Sequence, residues 1–289
     1  METALRALQS TAVLISEVEN SSALCDHRPP FGLLDAGAKS LVGHLNASRR
    51  AACLILAQQL AASNRRKVNA RKETCAVVGS GGAMRFSSQG REIDRHASII
   101  RFNGAPTLAL YRQDVGMRTT LQLSTLVPWR HWRRRVDAAR LAKTRDNVLY
   151  CHNHWVGNCW QDALRHGDGN VINPMLVGRL STLLLQHSSR KASRVPSTGL
   201  VGIAIALASC SNAPDVFGFG NESERAVCDH YWECRTDQAS YLGRPTHSFR
   251  AQSSLLRWLS DQRAIRLHGA PRKGTLAFTM PPERRRANV

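Results

Sequence analysis

A short apolar run followed at once by a glycine-rich turn constrains the fold of this chain more than any other feature. Residues 75–82 read Cys-Ala-Val-Val-Gly-Ser-Gly-Gly. Four consecutive apolar residues predict a buried strand, and three glycines in four positions predict a tight turn after it. A strand that ends in such a turn is typical of the first unit of a nucleotide-binding α/β domain.

The remainder of the chain continues this alternation of strands and helices. Further strands are predicted at 98–102, 119–123, 147–150 and 215–218, and helices at 174–186 and 199–209. Strands that alternate with helices favour a mostly parallel sheet covered on both faces. We therefore predict a single α/β/α sandwich of Rossmann-like type, in a chain whose 289 residues suffice for a full core.

The glycine turn does not match a dinucleotide site. The dinucleotide pattern needs a third glycine three residues after Gly81 and an acidic residue about twenty positions further on. This chain has Met84 at the first of those positions, and residues 98–104 contain no carboxylate. An NAD-dependent oxidoreductase is therefore disfavoured.

The charge of the chain is strongly basic. Lys and Arg number 40 against 21 Asp and Glu, for a formal net charge of +19. Such an excess suits an anionic partner, and nucleic acid is one class of such partners. The basic residues are spread along the chain and no nucleic-acid-binding motif accompanies them, so an anionic small substrate is favoured and nucleic acid is not expected.

Eight cysteines and the N-terminal sequence bear on the compartment. Eight are many for a reduced cytosolic protein, and they favour an oxidising lumen. Three Asn-x-Ser/Thr acceptors are compatible with secretion. The first residues do not form a signal peptide, and the longest apolar run, 51–62, is too short for a membrane span.

Composition divides the chain into three parts. A basic, polar connector at 63–72 separates an N-terminal helical or stem-like region, 1–70, from the predicted α/β domain at 71–275. Residues 276–289 are rich in Arg and Pro and are predicted to form a basic tail.

Four ordered motifs carry a family resemblance. Residues 75–107, CAVVGSGGAMRFSSQGREIDRHASIIRFNGAPT, followed by DVGMRTT at 114–120, resemble the large motif of the eukaryotic sialyltransferases. Residues 196–220, which begin PSTGL and end DVFGFG, are similar to the small motif. HYWE at 230–233 and HSFRAQ at 247–252 resemble the two short motifs that follow.

The resemblance implies a function and a fold variant. It implies a GT-A-like variant of the Rossmann-like sandwich and the inverting transfer of sialic acid from CMP-sialic acid to a glycan hydroxyl. CMP-sialic acid is then a co-substrate, and no cofactor or metal is expected. The acceptor would be a glycoprotein or glycolipid, galactose-terminated by the HYWE pattern. The family resemblance also implies the Golgi lumen and a membrane anchor, which these residues do not contain.

The resemblance further assigns roles to single residues. His247 would be the general base and His230 would assist the CMP phosphate, roles that suit imidazole because its pKa lies near working pH. The disulfide of the family would join Cys75 to Cys210. The residues expected to bind the CMP donor lie in the large and small motifs, and they are Gly79, Ser80, Gly81, Asn103, Ser197, Thr198 and Gly199.

Two departures from the family pattern leave an alternative open. Ser80 stands where the family has Asn, and Gln252 stands where it has Glu. These changes leave open a catalytically weak member that binds a nucleotide-sugar or glycan without efficient turnover.

Metal chemistry has little support in the sequence. No Asp-x-Asp pair is present, which agrees with a monophosphate donor. The His and Cys residues at 151–166 fit no common zinc spacing.

Overall fold

The structure, a computed structural model, describes most of the central part of the chain and several segments around it. The described residues are 1–14, 17–18, 21–26, 51, 53–55, 57–59, 72–133, 146–151, 159, 162–163, 170–188, 195–219, 230–232 and 247–268.

The centre of the fold is a seven-stranded sheet in which every pairing of neighbouring strands is parallel. The strands are β1 (Cys75–Val78), β2 (Ser98–Phe102), β3 (Leu121–Ser124), β4 (Asp146–Leu149), β5 (Asn170–Val171), β6 (Asp215–Phe217) and β7 (Arg266–His268). Their spatial order is β5-β4-β3-β2-β1-β6-β7. The predicted α/β class and mostly parallel sheet are confirmed.

The strand order places a switch point beside the glycine turn. From β1 the chain adds strands in one direction as far as β5, and then returns to place β6 on the other side of β1. In open parallel sheets, ligands bind at the carboxyl ends of the strands where the order reverses. We therefore expect a ligand-binding site at the edge of the sheet where β1 and β6 end.

Helices cover the sheet on both faces. The α-helices whose bounds lie in the described residues are α1 (Glu2–Gln9), α2 (Ser21–Asp26), α3 (Gly90–Ile93), α4 (Arg112–Val115), α5 (Leu126–Arg133), α6 (Pro174–Gln186), α7 (Thr198–Ser209) and α8 (Phe249–Asp261). Alternate residues of β1 belong to different hydrophobic clusters, because successive side chains of a strand point to opposite faces. Cys75 and Val77 join the cluster that contains α6, α7 and α8, whereas Ala76 and Val78 join the cluster beneath α3 and α4.

The N-terminal helix packs on the same core as the sheet. Leu5 and Leu8 of α1 are buried in the cluster that includes β1 and α7. The Arg179 guanidinium on α6 donates a hydrogen bond of 2.6 Å to the Ala7 carbonyl, which ties α1 to α6. The proposed division at residue 70 stays a prediction, and the predicted tail at 276–289 lies outside the described residues.

Three disulfides join the described cysteines. They are Cys25–Cys53, Cys75–Cys210 and Cys151–Cys159. Cys75 begins β1 and Cys210 follows the last residue of α7, so this bridge joins the large motif to the small motif. Disulfides of this number suit the oxidising compartment that the composition indicated.

None of the helices that the structure describes is both long enough and apolar enough to cross a bilayer.

A buried carboxylate, Asp215, is surrounded by three hydrogen-bonding side chains at the start of β6. It accepts hydrogen bonds from His96 Nε2 at 2.9 Å, Arg266 Nη2 at 2.5 Å and His268 Nε2 at 2.6 Å. Burial opposes ionisation of this carboxyl, but these bonds from Arg266, His268 and His96 lower its pKa. Through this cluster, His96 of the large motif is linked to β6 and β7, which come much later in the sequence.

The same contacts favour the charged form of His96. The hydrogen bond to Asp215 raises the pKa of His96 despite the opposing effect of burial. The other ring nitrogen, Nδ1, lies 3.1 Å from the Glu92 carbonyl and 3.2 Å from the Ile93 carbonyl, so both nitrogens face acceptors. A protonated ring satisfies all of them, whereas a neutral ring can donate from one nitrogen only.

The His96→Gln substitution should destabilise the protein mainly at mildly acidic pH. A raised folded pKa contributes stability that is complete below the unfolded pKa and is lost as pH rises through the folded pKa. We expect a loss of about 1.5–3 kcal/mol at pH 5.5, the range for a hydrogen bond to a charged group, and a smaller loss at pH 9. Urea unfolding at both pH values measures the difference, with the exposed His131→Gln as control. An equal loss at both pH values would contradict this account.

Candidate active site

The glycine turn lies at the switch point, where β1 and β6 end side by side. The Gly79 amide donates to the Phe217 carbonyl at 2.7 Å, so the chain leaving β1 is held against the end of β6. A Cβ built on Gly79 or on Gly81 would lie 2.8 Å from the Gly218 carbonyl oxygen. Glycine at 79 and 81 is therefore required by the close approach of the chain at Gly218, whether or not a ligand is bound.

The third motif packs its backbone onto this turn. Gly81 and His230 form an antiparallel bridge, and the Tyr231 amide donates to the Ser80 carbonyl at 3.2 Å. The Tyr231 hydroxyl donates to the Pro106 carbonyl at 2.5 Å, which anchors the segment to the chain that follows β2. The His230 ring stacks on Trp232 with centroids 4.6 Å apart. The structure thus brings the predicted phosphate-assisting histidine beside the predicted donor turn.

The Ser80 side chain is half-buried between these segments. Its hydroxyl makes no hydrogen bond to any part of the chain that the structure describes, while its carbonyl is used by Tyr231. Serine therefore leaves a small hydroxyl at the position where the family has an amide.

Asn103 directly follows β2 and has a left-handed backbone, with φ of 48°. Asparagine tolerates this conformation better than most residues. Its side-chain Oδ1 accepts from the Thr125 amide at 3.0 Å and from the Thr125 hydroxyl at 3.3 Å. These bonds fix the orientation of the exposed amide, so that its NH₂ group is the part left to donate to a ligand.

The N-terminus of α7 contributes the small-motif residues. Ser197 caps the helix: its Oγ accepts from the Leu200 amide at 3.2 Å. The first amides of such a helix have no intrahelical acceptor, and the helix dipole places partial positive charge there. Gly199 is needed for packing, since a Cβ there would lie 2.7 Å from the Phe219 ring. A helix N-terminus of this kind suits an anion.

His247 lies just before α8 and is held against the segment that precedes α7. Its Nδ1 lies 3.0 Å from the Val195 carbonyl, an acceptor that requires the proton to be on Nδ1. The lone pair of the neutral ring is then on Nε2. Burial lowers the pKa of His247, partly offset by the bond to Val195, so the ring stays neutral to a lower pH than an ordinary histidine. Phe249, 51% exposed, lies beside it with ring centroids 6.1 Å apart.

Gln252, the second of the two departures from the family pattern, joins α8 to the cap of α7. The Ser197 hydroxyl donates to its Oε1 at 2.5 Å. Its Nε2 is buried and has no hydrogen-bond partner within the described part of the chain. The substitution therefore keeps the acceptor for Ser197 and leaves one amide donor unsatisfied, an arrangement that costs free energy.

Apart from Asn103, which follows β2, the predicted donor-binding and catalytic residues fall into two groups at one edge of the sheet. The first group is the glycine turn with His230; the second is Ser197, Thr198 and Gly199 with His247. Phe219 connects them: it follows Gly218, its ring would contact a Cβ at 199, and it packs edge-on against Phe102 with centroids 6.3 Å apart.

Three contributions to the site were missed by the sequence reasoning. The sequence analysis assigns no role to Gly218, Phe219 or Thr125. The Phe-Gly-Phe-Gly run at 217–220 could have indicated that the first two belong to the site. Thr125 carries no such signal, because only the pairing of β2 with β3 brings it to Asn103.

The zinc alternative is weakened by the cysteine pairing. Cys151 and Cys159 are joined to each other, so their sulfurs are not zinc ligands in this structure. His152, His154 and His166 lie outside the described residues. In the segments that are described, no three His, Cys, Asp or Glu side chains form a cluster able to hold a metal ion.

Comparison with known proteins relates most of the chain, including all of the candidate site residues, to one family. A family model described as glycosyltransferase family 29 (sialyltransferase) matches residues 19–264. Human beta-galactoside alpha-2,6-sialyltransferase 1 is 27% identical over 199 residues, covering 58% of this chain and 45% of that protein. Mouse CMP-N-acetylneuraminate-beta-galactosamide-alpha-2,3-sialyltransferase 1 is 29% identical over 195 residues, covering 64% and 55%. The chain spans about half the length of these curated relatives.

A solved structure has the same fold. The crystal structure of a mammalian sialyltransferase superposes with a TM-score of 0.57 at 19% sequence identity, and the match covers 90% of each chain. At this identity the likeness concerns the fold alone.

Proposed function

We propose that this chain, which belongs to glycosyltransferase family 29 (sialyltransferase), transfers sialic acid from CMP-sialic acid to a hydroxyl group of a glycan. Transfer would proceed with inversion and without a metal ion. The acceptor would be a galactose-terminated glycan of a glycoprotein or glycolipid, and the reaction would take place in the Golgi lumen.

One observation supports this proposal above the others: the proposed base, His247, is held against the short segment that leads into the N-terminus of α7. His247 bonds the carbonyl of Val195, and Ser197, two residues further on, caps α7. A group that accepts a proton is thereby held next to amides that suit a phosphate. Sialyl transfer needs both groups, since a proton leaves the acceptor while negative charge develops on the departing phosphate.

The proposed chemistry is a single displacement at the anomeric carbon. The acceptor oxygen forms a bond to that carbon as the bond to the phosphate oxygen breaks, and the electron pair of the broken bond remains on CMP. The acceptor proton passes to Nε2 of His247. The transition state has oxocarbenium character, as in glycoside cleavage, so little nucleophilic strength is required of the acceptor.

The other site residues would bind the donor. We propose that the glycine turn, with the Ser80 hydroxyl, lies along the nucleotide, and that the Asn103 amide donates to the ribose or phosphate. His230, held beside the turn by its bridge to Gly81, would donate to the phosphate. The amides at Thr198 and Gly199 would complete the set of donors around the leaving group.

A transfer assay tests the function directly. Purified protein is incubated with labelled CMP-sialic acid and a panel of galactose-terminated glycans, with and without CMP and with and without EDTA. We expect a sialylated product, competitive inhibition by CMP against the donor, and no loss of rate in EDTA.

The other outcomes point to the rival functions. Saturable CMP binding without transfer or hydrolysis would indicate a binding protein in place of an enzyme. Absence of CMP binding, with duplex or single-strand binding that weakens steeply as salt rises, would indicate a nucleic-acid-binding protein.

A further inference from the structure

A cavity of about 500 Å³ opens between the end of α6 and residues 248–257, the N-cap and most of α8. Its volume is in the range of sites that hold small ligands. The described residues that line it come from the two helices and their caps: His187, Ser188, Ser248, Arg250, Ala251, Ser254 and Arg257.

The charge of this cavity has one sign. Arg250 and Arg257 are the charged residues in its described lining, which contains no Asp or Glu. Neither guanidinium forms an ion pair with a carboxylate among the residues that the structure describes; Arg257 makes one long contact, 3.4 Å, to the Ser253 carbonyl. The first turn of α8 also has no acidic residue, so the positive end of its dipole adds to the same field.

The other side chains of the cavity wall carry an imidazole and hydroxyl groups. The His187 ring packs on Trp258 with centroids 5.6 Å apart, and its Nδ1 lies 3.5 Å from the Ser254 hydroxyl. Burial lowers the pKa of His187, so the positive charge of the cavity comes from the arginines. The serine side chains add hydroxyl groups that can donate to or accept from a polar ligand.

The cavity is separate from the proposed donor site. Gln252 points from α8 to Ser197 at the donor-binding end of α7. At about 100° per residue, Arg250, Ser254 and Arg257 lie about 140–160° around the helix from Gln252. They are therefore on the opposite side of α8 from the cap of α7, and a molecule in the cavity does not occupy the nucleotide site.

The cavity nevertheless begins beside the proposed base. Ser248, which lines it, is the residue after His247. The arginines at 250 and 257 are about 10 Å apart along the helix, the length of one to two sugar rings. A glycan whose reacting hydroxyl is at His247 can thus extend along the cavity.

We propose that this cavity is an acceptor subsite for a negatively charged sugar, so that the preferred acceptor carries a carboxylate or a sulfate group in addition to the hydroxyl that reacts. This inference rests on the proposed function. Guanidinium groups bind carboxylates and sulfates through paired N–H donors, and these charge-assisted bonds are stronger than bonds to neutral sugar hydroxyls. The two sources of charge, a sialic acid residue already on the acceptor and a sulfate ester, are separated by the test.

The test compares three acceptors that share one galactose-containing core: neutral, sulfated and carboxylated. Wild type, the double variant Arg250→Gln/Arg257→Gln and the control Arg112→Gln are assayed with each. Arg112 is exposed at the start of α4, distant in sequence from the cavity.

We expect wild type to have a KM about tenfold lower for at least one acidic acceptor than for the neutral acceptor, which is the effect of one charge-assisted hydrogen bond. The double variant should lose this preference while its kcat, its KM for the neutral acceptor and its KM for the donor stay unchanged. The control should keep it. A preference for the sulfated or for the carboxylated acceptor identifies the source of the charge.

Two results would overturn the subsite. Equal kcat/KM for all three acceptors in wild type contradicts it, and so does an increase in the donor KM of the double variant, which would place the arginines on the donor. If no acceptor is turned over, the proposed function fails while the subsite is still measurable. Calorimetric titration with the three glycans alone then tests the subsite. Equal affinity of wild type and double variant for the acidic glycans would reject the subsite.

Discussion

Replacement of His247 by alanine should lower kcat by about 10² to 10⁴-fold, the range that a positioned general base supplies. The imidazole is the proposed acceptor of the hydroxyl proton, and its Nδ1 contact with the Val195 carbonyl keeps the lone pair on Nε2. Because the side chain is proposed to act in the chemical step, the KM for the donor should change little. Initial rates at saturating CMP-sialic acid and acceptor measure the effect.

The matched control is His131→Ala, an exposed histidine on α5 with no proposed role. It should retain the wild-type rate. Full activity of His247→Ala, in protein whose unfolding transition is unchanged, would remove His247 from the mechanism.

The pH profile of transfer by the wild-type protein gives a second readout of the same residue. The base must be neutral to accept a proton, so activity is lost as pH falls through its pKa. Since burial lowers the pKa of His247, the acidic limb of kcat/KM should have its midpoint below the ordinary value of 6.5. This limb should be absent from the residual activity of His247→Ala. A midpoint above 6.5 would contradict the buried base.

The double variant Cys75→Ala/Cys210→Ala should lose a large part of the stability of the fold. The bridge spans a sequence separation of 135, and in the chain-entropy model a loop of this length contributes about 5 kcal/mol. Domains are stable by about 5–15 kcal/mol in total, so much of the protein should be unfolded at 37 °C. Unfolding by urea under non-reducing conditions, followed by transfer activity, measures the loss.

The bridge between Cys151 and Cys159 provides the comparison. Its separation is 8, for which the same model gives about 2–3 kcal/mol. The Cys151→Ala/Cys159→Ala variant should therefore remain folded and lose less stability. Similar losses in the two variants would show that loop length does not govern their stability.

The fold was largely predictable from the sequence where strands are apolar and central. β1 and β2 have the predicted bounds, because runs such as Ala76–Val77 and Ile99–Ile100 are buried on both faces and leave no alternative to a core strand. β5 and β7 were not predicted. Asn170–Val171 has two residues, and Arg266–His268 is partly charged and exposed, so neither shows an apolar pattern.

The pairing of β7 depends on partners that are distant in the chain. Arg266 and His268 are adjacent to β6 because both bond Asp215, which is about 50 residues earlier in the chain. His96 reaches the same carboxylate from the other half of the sequence. A single sequence contains no local signal for such a cluster, since each of these residues is ordinary on an exposed surface.

In the candidate site too, the residue types could be identified from local motifs, whereas their mutual contacts could not. The residue types at 79–81, 103, 197–199, 230 and 247 were identified in the sequence, because motif spacing and the chemistry of glycine, asparagine and histidine are local properties. The sequence by itself thus determined the class of fold, the family resemblance and the candidate residues. It also identified Gln252 as a departure from the family pattern.

Only the tertiary structure decided how those residues act on one another. It showed that His247 contacts the Val195 carbonyl and that the Ser197 hydroxyl bonds Gln252, and it placed Arg250 and Arg257 on the far side of the helix that follows His247. These relations are set by which helix faces pack and by which strand ends meet at the switch point. Hydrogen bonding and burial depend on distances of a few ångströms between groups that the chain separates by tens of residues, and spacing along the sequence does not contain those distances.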